Sequence, residues 1–451
     1  MRSNMLRLRW ESLNPSWSEF VAKLFRDLEP LGHTLSNDES GVFTAEVCEP
    51  ATITDDHFWD EAHRVCHHKE LEEHREGILR FERDFDRFFV DMATFQPSAV
   101  RPVLEIVDFK RDGHKRIVEY LRLTQSVTSR KLVGKRMGLL IWDVGQTGDT
   151  RLFGAAILAS ARFSQQIRDQ HFGWQKDYPK TSLHHDPKAR ACRVDGLNRI
   201  MQLSIACAMP PYNVLAGAWL AAIAPFTAKG LEAFRNSHGT PAPEADLVAV
   251  VTTTSKSVSG APFRGHRVSQ LATSGIRAVP DAKGDLYAQI RREPETEPLR
   301  SSFDCLLSRE VRALACELFK TERPEQYAST STSEAPALAF AFHRLGLRPS
   351  ILKGNEIGIH LGALNGSTRA NWSTLDNIRT GVARPLNERH LIDWETAVGV
   401  WSRKFLPAPE LVGEIADTET KAAHREARQK RNERARSFPA NEIRLSHRLR
   451  G

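Results

Sequence analysis

The chain has 451 residues, 41% of them hydrophobic and 26% charged, the balance of an ordinary soluble globular protein long enough for a full core and two or three domains. Its formal charge of +7 suggests nucleic-acid affinity, yet residues 417–451 alone hold ten Lys and Arg against five Asp and Glu, so most of the excess is a tail. The most apolar stretch, Val214 to Phe226, is too short to span a bilayer, and the opening MRSNMLRLRWESLNPSW lacks the apolar centre of a signal peptide; both argue for a cytoplasmic protein without membrane contact.

From Ser18 to Phe95 apolar residues recur at three- and four-residue spacing, as in SEFVAKLFRDLEPL and EGILRFERDFDRFFVDM, and predict a charged helical N-terminal region. Within it, His63, Cys66, His67, His68 and His74 crowd one predicted helix. Zinc needs three or four converging ligands, and this helix is charged all round, so a solvated face is expected and no metal. A strand candidate follows at PVLEIVDF, residues 102–109. It carries the one fragment of nuclease type, in which a strand would place Asp108 and Lys110 on one face and Glu105 on the other.

Met137 to Asp143, the turn-rich VGQTGDT and Arg151 to Ser160 read as a hairpin of two central strands. A polar stretch then holds Arg168, Asp169, Gly173 and Trp174, followed by a loop with His184, His185 and Asp186. An Arg-Asp pair beside an aromatic either positions a substrate, with Asp169 as general base, or closes a loop over the sheet edge. Cys207 lies in an apolar run; with no CxxC spacing among the six cysteines, it predicts a buried free thiol and a reducing compartment.

Met209 to Ser255 is the most informative segment. Two prolines stop the preceding element. Ala216, Gly217 and Ala218 open an almost purely apolar helix, and a buried strand from Leu247 ends in Thr252, Thr253, Thr254 and Ser255. Tyr212 is a candidate general acid or a packed turn residue. The hydroxyl cluster is placed to bind substrate or to cap the next helix. Further on, REPETEPLRS (292–301) and QYASTSTSEAPA (326–337) read as linkers, ALAFAFHRLGL as a helix closed by Gly346, and ERHLIDWETAVGVWSRKF (388–405) as another helix. The tail KAAHREARQKRNERARSF would set Lys421, Arg425, Arg428 and Arg431 on one broad helical face, either a phosphate-tracking arm or a solvated tail.

In order, GLLIWD with FGAAILAS, Arg168-Asp169 with Gly173-Trp174, Pro210-Pro211-Tyr212-Asn213 with Leu215 and Gly217, and TTTS resemble the Druantia anti-phage system protein A (DruA) family over roughly residues 100–405. Where that family tends to have Gly-Gly-Lys, this chain has Gly217-Ala218-Trp219. The resemblance implies antiviral defence, with other defence proteins as partners, and supplies no reaction.

The element order also resembles the acyl-CoA-dependent N-acetyltransferase (GNAT) superfamily. That resemblance implies an α/β (α+β) fold: a mixed, largely antiparallel sheet over 101–291, flanked by helical regions at 1–100 and 301–416 and the basic tail at 417–451. It implies a cofactor turn at Asn213, Ala216, Gly217 and Ala218 holding acyl-CoA or another nucleotide cofactor; the catalytic candidates, read from the residues themselves, are Arg168, Asp169 and Tyr212. Trp174, Thr253, Thr254 and Ser255 are the substrate-binding candidates. The functional expectation is nucleic-acid engagement, DNA above all, with a group-transfer site. The alternatives are a non-catalytic DNA-binding or scaffold subunit and a metal-dependent nuclease.

Overall fold

The computed structural model describes residues 5–48, 56–124, 134–146, 148, 150–162, 165–172, 194, 196–238, 249–255, 286–290, 300–303, 306–329, 334–363 and 391–406, with 426, 429–430, 433–437, 439 and 443–449 near the C-terminus. The N-terminal part is not only helical. Strands β1 (Met5–Trp10), β2 (Thr34–Asn37) and β3 (Phe43–Cys48) form an antiparallel sheet in the order β1-β3-β2, against which α1 (Pro15–Leu28) packs. Helices α2 (Asp56–Glu73) and α3 (Arg75–Asp84) follow.

The central sheet begins with β4 (Pro102–Ile106), after which α4 (Asp112–Leu123) leads to β5 (Arg136–Asp143) and β6 (Arg151–Ser160). The expected hairpin is present, with Met137 opposite Leu158, and every residue from Leu152 to Ala159 is buried. That double burial is why the sequence there is continuously apolar rather than alternating. The sheet continues through the short α5 (Gln166–His171), β7 (Ile200–Ala208), α6 (Gly217–Ile223), α7 (Ala228–His238), β8 (Ala249–Ser255), β9 (Tyr287–Ile290) and β10 (Arg300–Ser302). Three helices, α8 (Arg309–Glu322), α9 (Pro324–Ser329) and α10 (Glu334–Arg344), precede β11 (Lys353–Ala363); α11 (Trp394–Phe405) and α12 (Leu445–Arg448) complete the described elements.

The strand order is β10-β11-β8-β7-β6-β5-β4, with β9 also on β11. The described pairs are antiparallel apart from β7 with β8, which run parallel and are joined at only three positions, Ile200 with Ala249 through Gln202 with Val251. The two strands then part. β7 bulges at Ser204, because Ile157 faces Ile205 while Leu158 faces Leu203, and a bulge bends its strand away from a neighbour. Thr252 Oγ1 donates to Leu203 O at 3.2 Å as the last bridge between them. β8 instead follows β11 as far as Ser255 opposite Ile357.

Two large cores result. One fills both faces of the central sheet beneath α4, α6, α7 and α11. The other joins the N-terminal sheet, α1 and the first half of α2 to residues 303–352. Buried Asp27 cross-links this second core: it accepts from Lys69 Nζ at 2.9 Å and from the N–H of Ser308, the N-cap of α8, at 2.6 Å. Residues expected to be a linker from 326 are helical where described, ending α9 and starting α10 at Glu334; Gly346, with φ of 71°, closes α10 as expected.

Candidate functional site

The turn from Met209 to Ala216 joins β7 to α6 and is held by its own backbone. The N–H groups of Asn213, Val214, Leu215 and Ala216 donate to Met209 O, Pro211 O, Tyr212 O and Asn213 O at 3.1–3.2 Å, and Gly217 N–H donates to Tyr212 O at 2.9 Å. Ala216 takes the left-handed conformation, with φ of 57°. A Cβ on Gly217 would lie 2.7 Å from Ala208 Cβ and 2.8 Å from the Phe153 ring, so this glycine lets α6 lie directly on the sheet. Above α6, Trp401 of α11 donates from Nε1 to Leu215 O at 3.0 Å. A pyrophosphate needs inward-facing N–H donors with no other partner. The five donors from Asn213 to Gly217 have partners already, so none of these five is available to that group.

Tyr212 is wholly buried between Phe153 and Phe95, and its hydroxyl donates to Asp143 Oδ2 at 2.9 Å. Asp143, also without exposure, accepts from Gln146 Nε2 at 3.0 Å and from the N–H groups of Arg101 and Gly145 at 2.8 and 2.9 Å. Burial and the adjacent carboxylate push the Tyr212 hydroxyl far above the usual tyrosine range. Asp143 is the residue that sequence reasoning missed. A carboxylate closing the apolar run GLLIW was the available signal, since such a group is tolerated inside only with donors around it.

Arg168 and Asp169 are both fully buried on α5. Arg168 Nε and Nη2 donate to Asp169 Oδ1 at 2.8 and 2.6 Å, Nη1 donates to Arg162 O at 2.7 Å, and Gln165 N–H donates to Asp169 Oδ2 at 3.0 Å. The surrounding Ile167, Phe172, Ile200, Ala249 and Val251 place the pair over the paired beginning of β7 and β8. Tyr212 follows the far end of β7, so the three catalytic candidates do not converge. Thr253, Thr254 and Ser255 lie on β8 beyond the point where β7 leaves it, opposite Ile359, Gly358 and Ile357 of β11. Trp174, His184, His185, Asp186, Lys421, Arg425, Arg428 and Arg431 lie outside the described residues.

Three expectations are corrected by packing. The histidine helix α2 is not a solvated face: His63 and Cys66 are buried, the His63 ring lies 4.6 Å from Phe303, and His67 Nε2 meets Leu123 O at 2.7 Å. The second is the reducing compartment read from the cysteines: Cys66 is disulfide-bonded, whereas Cys207 is free and buried as expected. The third concerns the nuclease fragment. β4 ends at Ile106, so Asp108 and Lys110 occupy a turn, where Asp108 Oδ1 accepts Lys110 N–H at 2.9 Å; Glu105 accepts Trp142 Nε1 at 2.6 Å. Among the described residues no three His, Cys, Asp or Glu side chains are grouped to hold a metal, and no helix is long and apolar enough to cross a membrane.

No curated protein and no solved structure matches the chain. The family described as Druantia protein DruA matches over residues 54–240, from the start of α2 through α7, a span that contains the hairpin, Arg168-Asp169 and the Tyr212 turn. Over that span the chain is similar to the DruA family, as its motifs led one to expect.

Proposed function

We propose that the chain is an anti-phage defence protein that engages nucleic acid as a non-catalytic subunit built on a GNAT-like sheet. The strand order, with one parallel pair that parts beside a bulge, supports the GNAT-like reading of the frame. The observation that carries the function is the internal saturation of the candidate chemistry: Arg168, Asp169, Tyr212 and the N–H groups from Asn213 to Gly217 all have partners within the fold. What such a frame offers a partner is its surface, and the chain carries a formal charge of +7, most of it in residues 417–451. Binding of labelled duplex DNA, followed by fluorescence anisotropy across a salt series, tests the reading. Affinity that falls steeply with salt is expected. No binding at low salt overturns it.

One observation favours a second reading, a group-transfer protein whose ligand enters between β7 and β8. Beyond Gln202 and Val251 the two strands have no ladder between them, and half-buried Ser204, Ala206 and Thr253 lie on the parted segments. Saturating acyl-CoA would then raise the melting temperature, since a ligand at a hundredfold excess over Kd stabilises by about 2.7 kcal/mol. Ala206→Trp would abolish the shift. An unchanged melting temperature with acyl-CoA and with nucleotides removes this reading and leaves the first.

A further inference from the structure

The turn after β4 carries Phe109, Lys110 and Arg111, and the first turn of α4 adds Lys115, whose N–H donates to Arg111 O at 3.2 Å. The start of β5 lies alongside. Val107 N–H donates to Gly138 O at 2.8 Å, and the Arg136 guanidinium sits 5.2 Å from the centre of the Phe109 ring. Lys135 is fixed through its backbone, its N–H donating to Ser160 Oγ at 2.9 Å. The fold therefore gathers Lys110, Arg111, Lys115, Lys135 and Arg136, all exposed, from two separate segments of the chain.

Carboxylates around them are few and engaged. Asp108 lies 3.4 Å from Arg111 and accepts Lys110 N–H; Glu105 accepts Trp142 Nε1 and lies 3.6 Å from His114 Nε2; Asp112 is exposed at the start of α4. Among the described residues, no carboxylate pairs with Lys110, Lys115, Lys135 or Arg136. Like charges brought together this way repel one another, and a partner with closely spaced negative charge relieves the repulsion. Among the described residues no buried polar side chain builds a pocket for a small anion here, so the surface suits a polyanion. Duplex DNA presents one charge per roughly 1.7 Å of its axis, spaced closely enough to meet several cations at once. The Arg136 guanidinium, placed over the Phe109 ring, has the fork geometry that grips phosphate.

We infer that Lys110, Arg111, Lys115, Lys135 and Arg136 form a surface that binds the sugar-phosphate backbone of duplex DNA. The inference rests on the nucleic-acid reading above, and it puts the contact on the body of the protein rather than on the basic tail. It is also separate from the parted strands. Arg136 faces Ala159, which faces Gln202, so the surface lies level with the paired start of β7 and β8 and two strands away from β7, while the parted segments run on toward the other end of the sheet.

The test is anisotropy with a labelled duplex of about 24 base pairs between about 50 and 300 mM KCl, using the full-length protein, where each phosphate contact adds about 0.9 to the slope of log K against log salt. The variant Lys110→Ser/Lys115→Ser/Lys135→Ser is expected to bind at least about tenfold more weakly and to lose about 2 to 3 from that slope. Arg136 stays in place, so its packing on Phe109 is kept. A control, Lys320→Ser/Arg323→Ser, removes two exposed cations at the end of α8 and should bind like the unaltered protein. Circular dichroism and melting check that both variants fold. If the triple variant binds normally, or both variants weaken alike, the surface is overturned while the nucleic-acid reading stands. If the unaltered protein fails to bind at about 50 mM salt, where backbone contacts are strongest, both fall together.

Discussion

The Tyr212 hydroxyl donates to Asp143 Oδ2 at 2.9 Å, and so ties the turn after β7 to the end of β5, the two strands that flank β6. Asp143 has no exposure and depends on four donors, of which Tyr212 is one. Tyr212→Phe keeps the ring packing and removes one donor from a buried carboxylate. Hydrogen bonds to charged groups contribute about 1.5–3 kcal/mol, and the variant is expected to lose that much in urea unfolding. Unchanged stability would mean that the pair is not coupled.

Cys207 faces a different test, of reactivity. It is buried on β7, and burial pushes its thiol up to about 11, so almost no thiolate exists at neutral pH. In the native protein at pH 8, iodoacetamide is expected to leave Cys207 unmodified and to label it only after denaturation. Peptide mass spectrometry reads this directly; rapid native labelling would contradict the burial.

Adjacent residues of the same turn are expected to respond with opposite signs. Ala216 holds a left-handed conformation that costs an L-residue about 1–2 kcal/mol, so Ala216→Gly should stabilise, reduced by the extra freedom glycine brings to the unfolded chain. Gly217→Ala would force a methyl group against Ala208 and Phe153, and overpacking of that kind costs about 1–3 kcal/mol. Urea midpoints moving in the same direction would refute the packing account of the turn.

What the sequence revealed, and what it hid, follows from burial. β5 and β6 were legible because both faces of both strands are covered, which leaves a continuous apolar run. β1 alternates Leu6, Leu8 and Trp10 with exposed Arg7 and Arg9, a strand signal only six residues long, and half-buried Leu8 and Trp10 pack on a core drawn largely from residues 303–352, which nothing local reveals. α2 looks charged all round because its buried apolar residues Trp59, Ala62, Cys66 and Leu71 are interspersed with polar residues that also have partners inside: His67 on Leu123 O, Lys69 on Asp27, and Glu70 on Arg122. Arg168, Asp169 and Tyr212 were found as residues, whereas their saturation depends on partners that spacing cannot reveal, Asp143 and the carbonyl of Arg162 among them.

His33 should make stability depend on pH. It is buried, its Nδ1 accepts Cys48 N–H at 3.1 Å, and the proton therefore sits on Nε2, which donates to Ile351 O at 3.2 Å. Burial lowers its pKa below the usual 6.5. The folded chain thus refuses a proton that the unfolded chain accepts, and stability falls as pH drops below 6.5, until the lower folded value is passed. Above 6.5 this group contributes no pH dependence. Urea midpoints at pH 7.5 and pH 5.5 should differ less in His33→Asn than in the unaltered protein; equal differences would exclude His33 as the source.

The end of the basic tail is expected to act as a structural latch. Ile443, Leu445 and Leu449 are buried against the core that covers the central sheet, and Glu82 of α3 accepts both the Tyr120 hydroxyl at 2.7 Å and the Ser446 N–H at 3.1 Å. Leu445 N–H donates to the Tyr120 hydroxyl at 3.1 Å, and Arg444 pairs with Asp86 while lying over the Phe89 ring. Each of the three apolar side chains contributes about 1.5–3 kcal/mol by burial, offset by about 1–2 kcal/mol for every residue held in place. Deleting residues 443–451 should therefore lower stability by a few kcal/mol, and Glu82→Ala should reproduce part of that loss. A tail that only solvates the protein, or only tracks phosphate, would leave the urea midpoint unmoved by the deletion.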